Sequence, residues 1–344
     1  MKALVKYKKG DGFLKLQDIE KPKPDKNEVL IKVKFAGICG SDIHILHDEF
    51  KNSPPVTIGH EFSGYIVEVG KDVKRWKIGN RVSSELHIGA CMTCHLCRSR
   101  KYHICPEKKP LGSMSNGAFA DFIKVPAWLL HRIPDNVSYE EAALFEPVAI
   151  CIHCILEQTK INPDDFVFIS GAGPIGLISS QIVKTKGVHK VAIAGTTKDT
   201  CTRFKIAKKL GNNHIINVEK DDCVSILKKL TNGKGPDLVI EASGSPKAIS
   251  LAFEVVRRNG KIIALGMTKE EKIRIPWNSG ILKSIELILP FSSNYTSWEK
   301  AISLISSKKI DVTPLITHKF NLADWKKTFE LVEQCKSVKV LLKI

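Results

Sequence analysis

The sequence specifies an α/β protein of two domains, one β-rich and one built on a doubly wound parallel sheet, and three observations lead there. At 344 residues the chain exceeds what a single hydrophobic core organises. Short β-branched runs bounded by Gly and Pro fill its first part. From about residue 160 apolar strands alternate with amphipathic helices.

Taken in order, EVLIKVKFAG, GYIVEV and AFADFIKVP read as strands separated by loops, which predicts a barrel-like β domain. The next segments are DFVFIS, IGLISSQIVKTKG, KVAIAG, TRFKIAKKLG, DLVIEA, SLAFEVVRRNG and KIIALG. Strand and helix alternate there, so the sheet must be parallel, with helices on both faces. After about residue 285 come WEKAISLISSKKIDVTPLI and the terminal strand KVLLKI, which is expected to return to the first domain. The expected boundaries are therefore 1–150 with 286–344 for the β-rich domain and 151–285 for the sheet domain.

Gly171-Ala172-Gly173-Pro174-Ile175-Gly176 follows DFVFIS directly and opens the next helix. The first Gly permits a tight turn, the second lets backbone approach a pyrophosphate, and the third allows close helix packing. Free N–H groups at the helix start favour phosphate. This strand–turn–helix context predicts a Rossmann dinucleotide-binding domain.

Composition narrows the partners. The formal net charge of +17 favours anionic ligands, but the lysines are dispersed and not interleaved with aromatics, which argues against a nucleic-acid interface. No window is apolar enough for a membrane span, and the start MKALVKYKKGDG carries charge where a signal peptide needs apolar residues. A cytoplasmic protein is expected. Four of the ten cysteines, Cys91, Cys94, Cys97 and Cys105, crowd one short lobe, 88–108, at a spacing that can wrap a tetrahedral structural zinc.

A second donor group is scattered through the first domain: Cys39 in GICGSDIH, His60 and Glu61 in GHE, and Glu146 in LFEPVA. Cys, His and carboxylate donors with an incomplete shell suit a catalytic zinc that keeps a position for substrate. These motifs, the C-x-x-C-x-x-C-x7-C lobe and GAGPIG occur in an order that resembles the zinc-containing medium-chain alcohol dehydrogenases. The likeness is to the polyol branch, of the sorbitol and galactitol-phosphate dehydrogenase type, and it runs over essentially the full chain.

The resemblance implies a GroES-like catalytic domain built from both chain ends and a Rossmann domain between them. It implies that Cys39, His60 and Glu146 ligate zinc, with Glu61 as a ligand or alternate ligand and Asp42 orienting an imidazole. Ser41 would accept the alcohol proton and His44 would pass it onward, while hydride leaves for a nicotinamide. A homodimer or homotetramer follows from the same likeness, through edge pairing of the Rossmann sheets. Polyol members often carry an arginine in the segment 289–298; LPFSSNYTSW has none, which argues against sorbitol itself.

The strand KVAIAG ends on Gly195 where NAD-specific members place an acid. With Thr196 and Thr197 as hydroxyl donors and Lys198 or Arg203 as cations, NADP is expected over NAD, and an acid introduced at Gly195 is expected to shift preference toward NAD. The expected reaction is oxidation of a secondary alcohol in a polyol, diol or sugar derivative. Alternatives are a simple alcohol or ketone reductase on the same machinery, an NAD-linked polyol dehydrogenase, and a non-catalytic protein that kept the fold.

Overall fold

A computed structural model describes all residues, 1–344. The chain divides into two compact units, Met1–Ala149 with Ser293–Lys308 and Ile316–Ile344, and Ile150–Ser292 with Lys309–Leu315. The second unit thus extends past the expected limit at residue 285. The reason is pairing: Glu286–Ile288 adds a parallel edge strand beside Lys261–Ala264, and Asp311 exchanges two hydrogen bonds with the Gln181 amide.

In the first unit a seven-stranded sheet runs in the order Ile316–Asn321, Lys339–Lys343, Glu28–Gly37, Glu61–Val69, Arg81–Ser84, Leu130–Arg132, with Phe122–Pro126 also on Glu28–Gly37. The alternation in EVLIKVKFAG is blurred because much of this strand is buried, and Val29, Leu30, Ile31 and Val33 are all inaccessible to solvent. Val29, Ile31 and Val33 pack in one core with Phe62, Phe119, Phe329, Val340 and Leu342, so the terminal KVLLKI does return to this domain. Register then brings Gly37 opposite both Glu61 and Leu341. A Cβ at Gly37 would lie 2.2 Å from Glu61 Oε2. Only glycine leaves room there for the Glu61 carboxylate.

In the second unit six parallel strands run in the order His214–Asn217, Lys190–Gly195, Phe166–Ser170, Leu238–Glu241, Lys261–Ala264, Glu286–Ile288. Phe166–Ser170 is buried along its whole length, as a strand covered by helices on both faces must be. Strand order reverses between Phe166–Ser170 and Leu238–Glu241, and the crevice at such a switch point is where this topology binds ligands. No helix is long and apolar enough to cross a membrane.

Candidate functional site

The helix Gly40–Leu46 begins at Cys39, whose backbone N–H donates to Asp42 Oδ2 at 2.9 Å. This closes the first turn and pins Cys39 at the end of the strand Glu28–Gly37 and its short extension. His60 immediately precedes, and Glu61 begins, the neighbouring strand Glu61–Val69. Ligand atoms of Cys39, His60 and Glu61 all lie within 4.8 Å of one another, so three residues expected to act together are gathered.

The surroundings of this cluster are anionic. Asp42 is fully buried with Oδ1 3.6 Å from His60 Nδ1, a charge contact longer than a hydrogen bond. Burial works against a proton on His60, yet Asp42 and then Cys39 raise its pKa well above the ordinary histidine value. Glu146, at the start of the helix Phe145–Ile152, lies outside the 4.8 Å group but feels the charges of His60, Glu61, Lys339 and Asp42. Burial pushes its carboxyl up to about 7, with His60 opposing and Glu61 adding to the rise. Its Oε1 is buried with no hydrogen-bond partner. An orphaned carboxylate oxygen beside a thiol, an imidazole and a second carboxylate fits a divalent cation with an unfilled shell.

One member of this cluster escaped sequence reading. Lys339, buried in the terminal strand, holds both oxygens of Glu61 at 2.7 Å and donates to Ile38 O at 3.1 Å. Glu61 therefore has a cationic partner other than a metal. The available signal was a lysine opening the apolar run KVLLKI, a charge where the strand is otherwise core.

Ser41 is half-buried in the first turn of the Gly40–Leu46 helix. His44, one turn on, has Nδ1 2.7 Å from Glu49 Oε2. Another unforeseen network lies under the cysteine lobe: buried Glu85 contacts His131 at 3.1 Å and His87 at 3.3 Å. His131 also meets Glu299 at 2.6 Å and stacks on Trp298. Burial would raise the Glu85 carboxyl, but hydrogen bonds from His131 and His87 hold it below the usual carboxylate value.

In the lobe, ligand atoms of Cys91, Cys94, Cys97 and Cys105 lie within 4.8 Å of one another. Cys91 Sγ is 3.9 Å from Cys97 Sγ and 3.7 Å from Cys105 Sγ. Tetrahedral zinc with Zn–S bonds of about 2.3 Å sets sulfur atoms about 3.8 Å apart. Backbone N–H groups of Cys94, Cys97 and Cys91 point at the sulfurs of Cys91, Cys94 and Cys105, which favours thiolates. The N–H of Cys94, then Thr93, brings Cys91 down to about 6, whereas burial and the neighbouring thiols push Cys97 up to about 12. A cation fits this donor set.

In the second unit Gly171 takes φ +121°, a value that only glycine adopts readily. A Cβ at Gly176 would sit 1.8 Å from Gly171 O, so the helix packs on the turn as the motif requires. A Cβ at Gly173 would meet nothing within 4 Å. That open side, at the start of the helix Pro174–Lys184 with Pro174 and Ile175 in its first turn, is a cradle of the kind a pyrophosphate fills.

At the tip of Lys190–Gly195 a carboxylate is present after all, folded back beneath the strand. Asp199 Oδ2 accepts from Thr196 N at 2.7 Å and from its hydroxyl at 3.1 Å, while Oδ1 accepts from Arg203 at 2.9 Å. Thr196 is the cap of the short turn that follows. Arg203 is thus committed to Asp199, and Lys198 is the exposed cation at the tip. A Cβ at Gly195 would lie 2.7 Å from both Asp199 Oδ2 and Phe204 Cε1, so an acid at Gly195 cannot enter without displacing them.

An unsaturated metal donor set in one unit and a phosphate-cradling Rossmann turn in the other define the class of metal-dependent dehydrogenases. Comparison with known proteins makes the assignment specific. Residues 25–135 match the alcohol dehydrogenase GroES-like domain and residues 174–307 the zinc-binding dehydrogenase domain. The chain belongs to the zinc-binding alcohol dehydrogenase family. It is 36% identical over 342 residues to the sorbitol dehydrogenase of Halalkalibacterium halodurans, covering 99% of each chain. It is 36% identical over 343 residues to the D-arabitol-phosphate dehydrogenase of Enterococcus avium, covering 99% of this chain and 97% of the relative. A zinc-binding dehydrogenase from Sinorhizobium meliloti 1021, solved bound to NADP, superposes with a TM-score of 0.92 at 26% identity, covering 100% of this chain and 99% of the other.

Proposed function

We propose that this enzyme transfers hydride between a secondary alcohol of a polyol, diol or sugar derivative and NADP, using one catalytic and one structural zinc. The observation that carries the reading is the buried Cys39–His60–Glu61 cluster with the orphaned Oε1 of Glu146. Cys39, His60 and Glu146 are the proposed catalytic-zinc ligands, with Glu61 exchanging, and Cys91, Cys94, Cys97 and Cys105 the structural-zinc ligands. Zinc, when bound, supplies Lewis-acid polarisation of the alcohol oxygen.

The chain's own residues do the rest. Asp42, fixed by Cys39 N–H, sets the imidazole of His60. Lys339 holds Glu61 back while its own charge is buried among carboxylates. Ser41 takes the substrate hydroxyl proton, and His44, paired with Glu49, relays it toward solvent. Gly171, Gly173 and Gly176, with Pro174 and Ile175, seat the cofactor pyrophosphate, and Thr197 and Lys198 meet its 2′-phosphate, while Thr196, expected to join them, is held by Asp199. Four reduced thiols suit the cytoplasm. The second reading is the same chemistry with NAD, favoured by a carboxylate at the cofactor-selecting strand tip, that of Glu219.

The test is a panel of polyols, diols and sugar phosphates assayed separately with NAD and NADP, alongside Cys39→Ala. The variant is expected to lose alcohol oxidation while retaining nucleotide binding and its melting transition. Retained turnover in Cys39→Ala sinks the mechanism, and faster turnover with NAD than with NADP sinks the cofactor assignment.

A further inference from the structure

In a sheet of this order the adenosine ribose of a dinucleotide is recognised at the end of the strand next to the phosphate-binding one, here Lys190–Gly195. That position already holds an anion. The backbone N–H of Thr197 donates to Glu219 Oε2 at 2.9 Å. Glu219 follows the strand His214–Asn217, which pairs in parallel with Lys190–Gly195, so two adjacent strand ends meet there. Asn217 Nδ2 donates to Thr197 Oγ1 at 3.3 Å, which turns the hydroxyl proton away from Asn217. The Thr197 hydroxyl, then its N–H, and more weakly the charges of Lys198 and Lys220 hold the Glu219 carboxyl below its usual value. Asp199 cannot take this place, because its two oxygens are engaged by Thr196 and Arg203.

We propose that Glu219 is a tethered competitor for the 2′-phosphate of NADP: its carboxylate occupies the N–H and hydroxyl cradle of Thr197, beside the charge of Lys198, and NADP binds only by displacing it. NAD has no 2′-phosphate and leaves the contact in place. The proposal rests on the dinucleotide-binding role given above to this domain. Two anions cannot share one such cradle, and their repulsion at an exposed site weakens binding on the order of tenfold. Specificity here is therefore tuned by a repulsive element on a neighbouring strand, with no acid at the tip residue itself.

Calorimetric titration of the full chain and of Glu219→Gln with 2′-AMP, 5′-AMP, NADP and NAD tests this. In Glu219→Gln, 2′-AMP and NADP are expected to bind on the order of tenfold tighter, with 5′-AMP and NAD changed by less than about twofold. Unchanged 2′-AMP and NADP affinity overturns the proposal. So does weaker NAD binding without an NADP gain, since Glu219 would then be a ribose acceptor. The parent chain's own preference is a separate readout. A parent that prefers NAD but gains NADP in the variant sinks the NADP assignment and keeps this inference. A parent that prefers NADP with no gain in the variant does the reverse. Failure of both proteins to bind any of the four nucleotides overturns both readings.

Discussion

Lys339 Nζ lies 2.7 Å from each carboxylate oxygen of Glu61, and both side chains are almost wholly buried. The pair joins the last strand of the chain to the GHE segment, 278 positions apart. Removing one partner leaves the other charge uncompensated in the interior, and Lys339→Met is expected to cost about 3–5 kcal/mol of stability. Adding Glu61→Gln to that variant should recover part of the loss, because neither charge then remains. Urea unfolding of the two variants measures it, and a loss below about 1 kcal/mol in Lys339→Met would mean the pair is solvated, not buried.

The cysteine lobe predicts a metal count. Elemental analysis should find two zinc ions per chain, and Cys94→Ser should retain one. The lobe has little apolar packing of its own, so losing its metal should lower the melting temperature as well. Two zinc ions in Cys94→Ser, or one in the parent chain, would remove the structural site.

Much of this was legible in the sequence because local rules and tertiary structure agree. GAGPIG needs its glycines for reasons visible within six residues, and the open space beside Gly173 and the contact at Gly176 are those reasons in three dimensions. Four closely spaced cysteines likewise converge because short turns can bring them together. Lys339 and the Glu85–His131–Glu299 network were not legible, since their partners depend on register between distant strands. The acidic groups at the strand tip were not legible. Gly195 ends the strand without a side chain, but the acids beside it, Asp199 and Glu219, arrive from the following turn and from beyond the next strand.

A surface histidine gives a pH dependence with a defined sign. His47 lies 2.6 Å from Glu333 and 2.8 Å from Asp11, and the hydrogen bond it donates to Glu333, partly offset by burial and then reinforced by Asp11, raises its pKa above 6.5. A raised folded-state pKa contributes stability that is complete below the unfolded value and disappears as pH rises through the folded one. His47→Gln should therefore be less stable than the parent at pH 6 and converge with it on the alkaline side. Side-chain exposure of 32% limits the difference to under about 1 kcal/mol. Thermal melts across pH 5.5–9 check this; a gap that widens with pH would reverse the assignment.

The edge strand Glu286–Ile288 and its surroundings predict the assembly. Leu289, Leu282 and Phe291 are 74%, 73% and 51% exposed, an apolar patch beside an unpaired strand edge of the kind that a second copy covers. The chain is expected to be at least dimeric by light scattering, and Leu289→Lys to shift it toward monomer. An unchanged mass in Leu289→Lys would place the contact elsewhere.

Cofactor selection at the strand tip is best probed away from Gly195. A side chain there would press its Cβ to 2.7 Å from Asp199 Oδ2 and Phe204 Cε1, and an aspartate would add a second carboxylate beside the buried Asp199. Gly195→Asp is accordingly expected to lose about 1–3 kcal/mol of stability, so that a change in cofactor preference could come from a displaced turn. Lys198 is exposed and makes no such demand. Lys198→Glu should weaken NADP binding on the order of tenfold relative to NAD, through loss of an attractive charge and gain of a repulsive one, with the melting temperature nearly unchanged. Titration of both cofactors measures the ratio. If it stays constant while the fold is intact, the tip does not contact the 2′-phosphate and selection lies elsewhere in the domain.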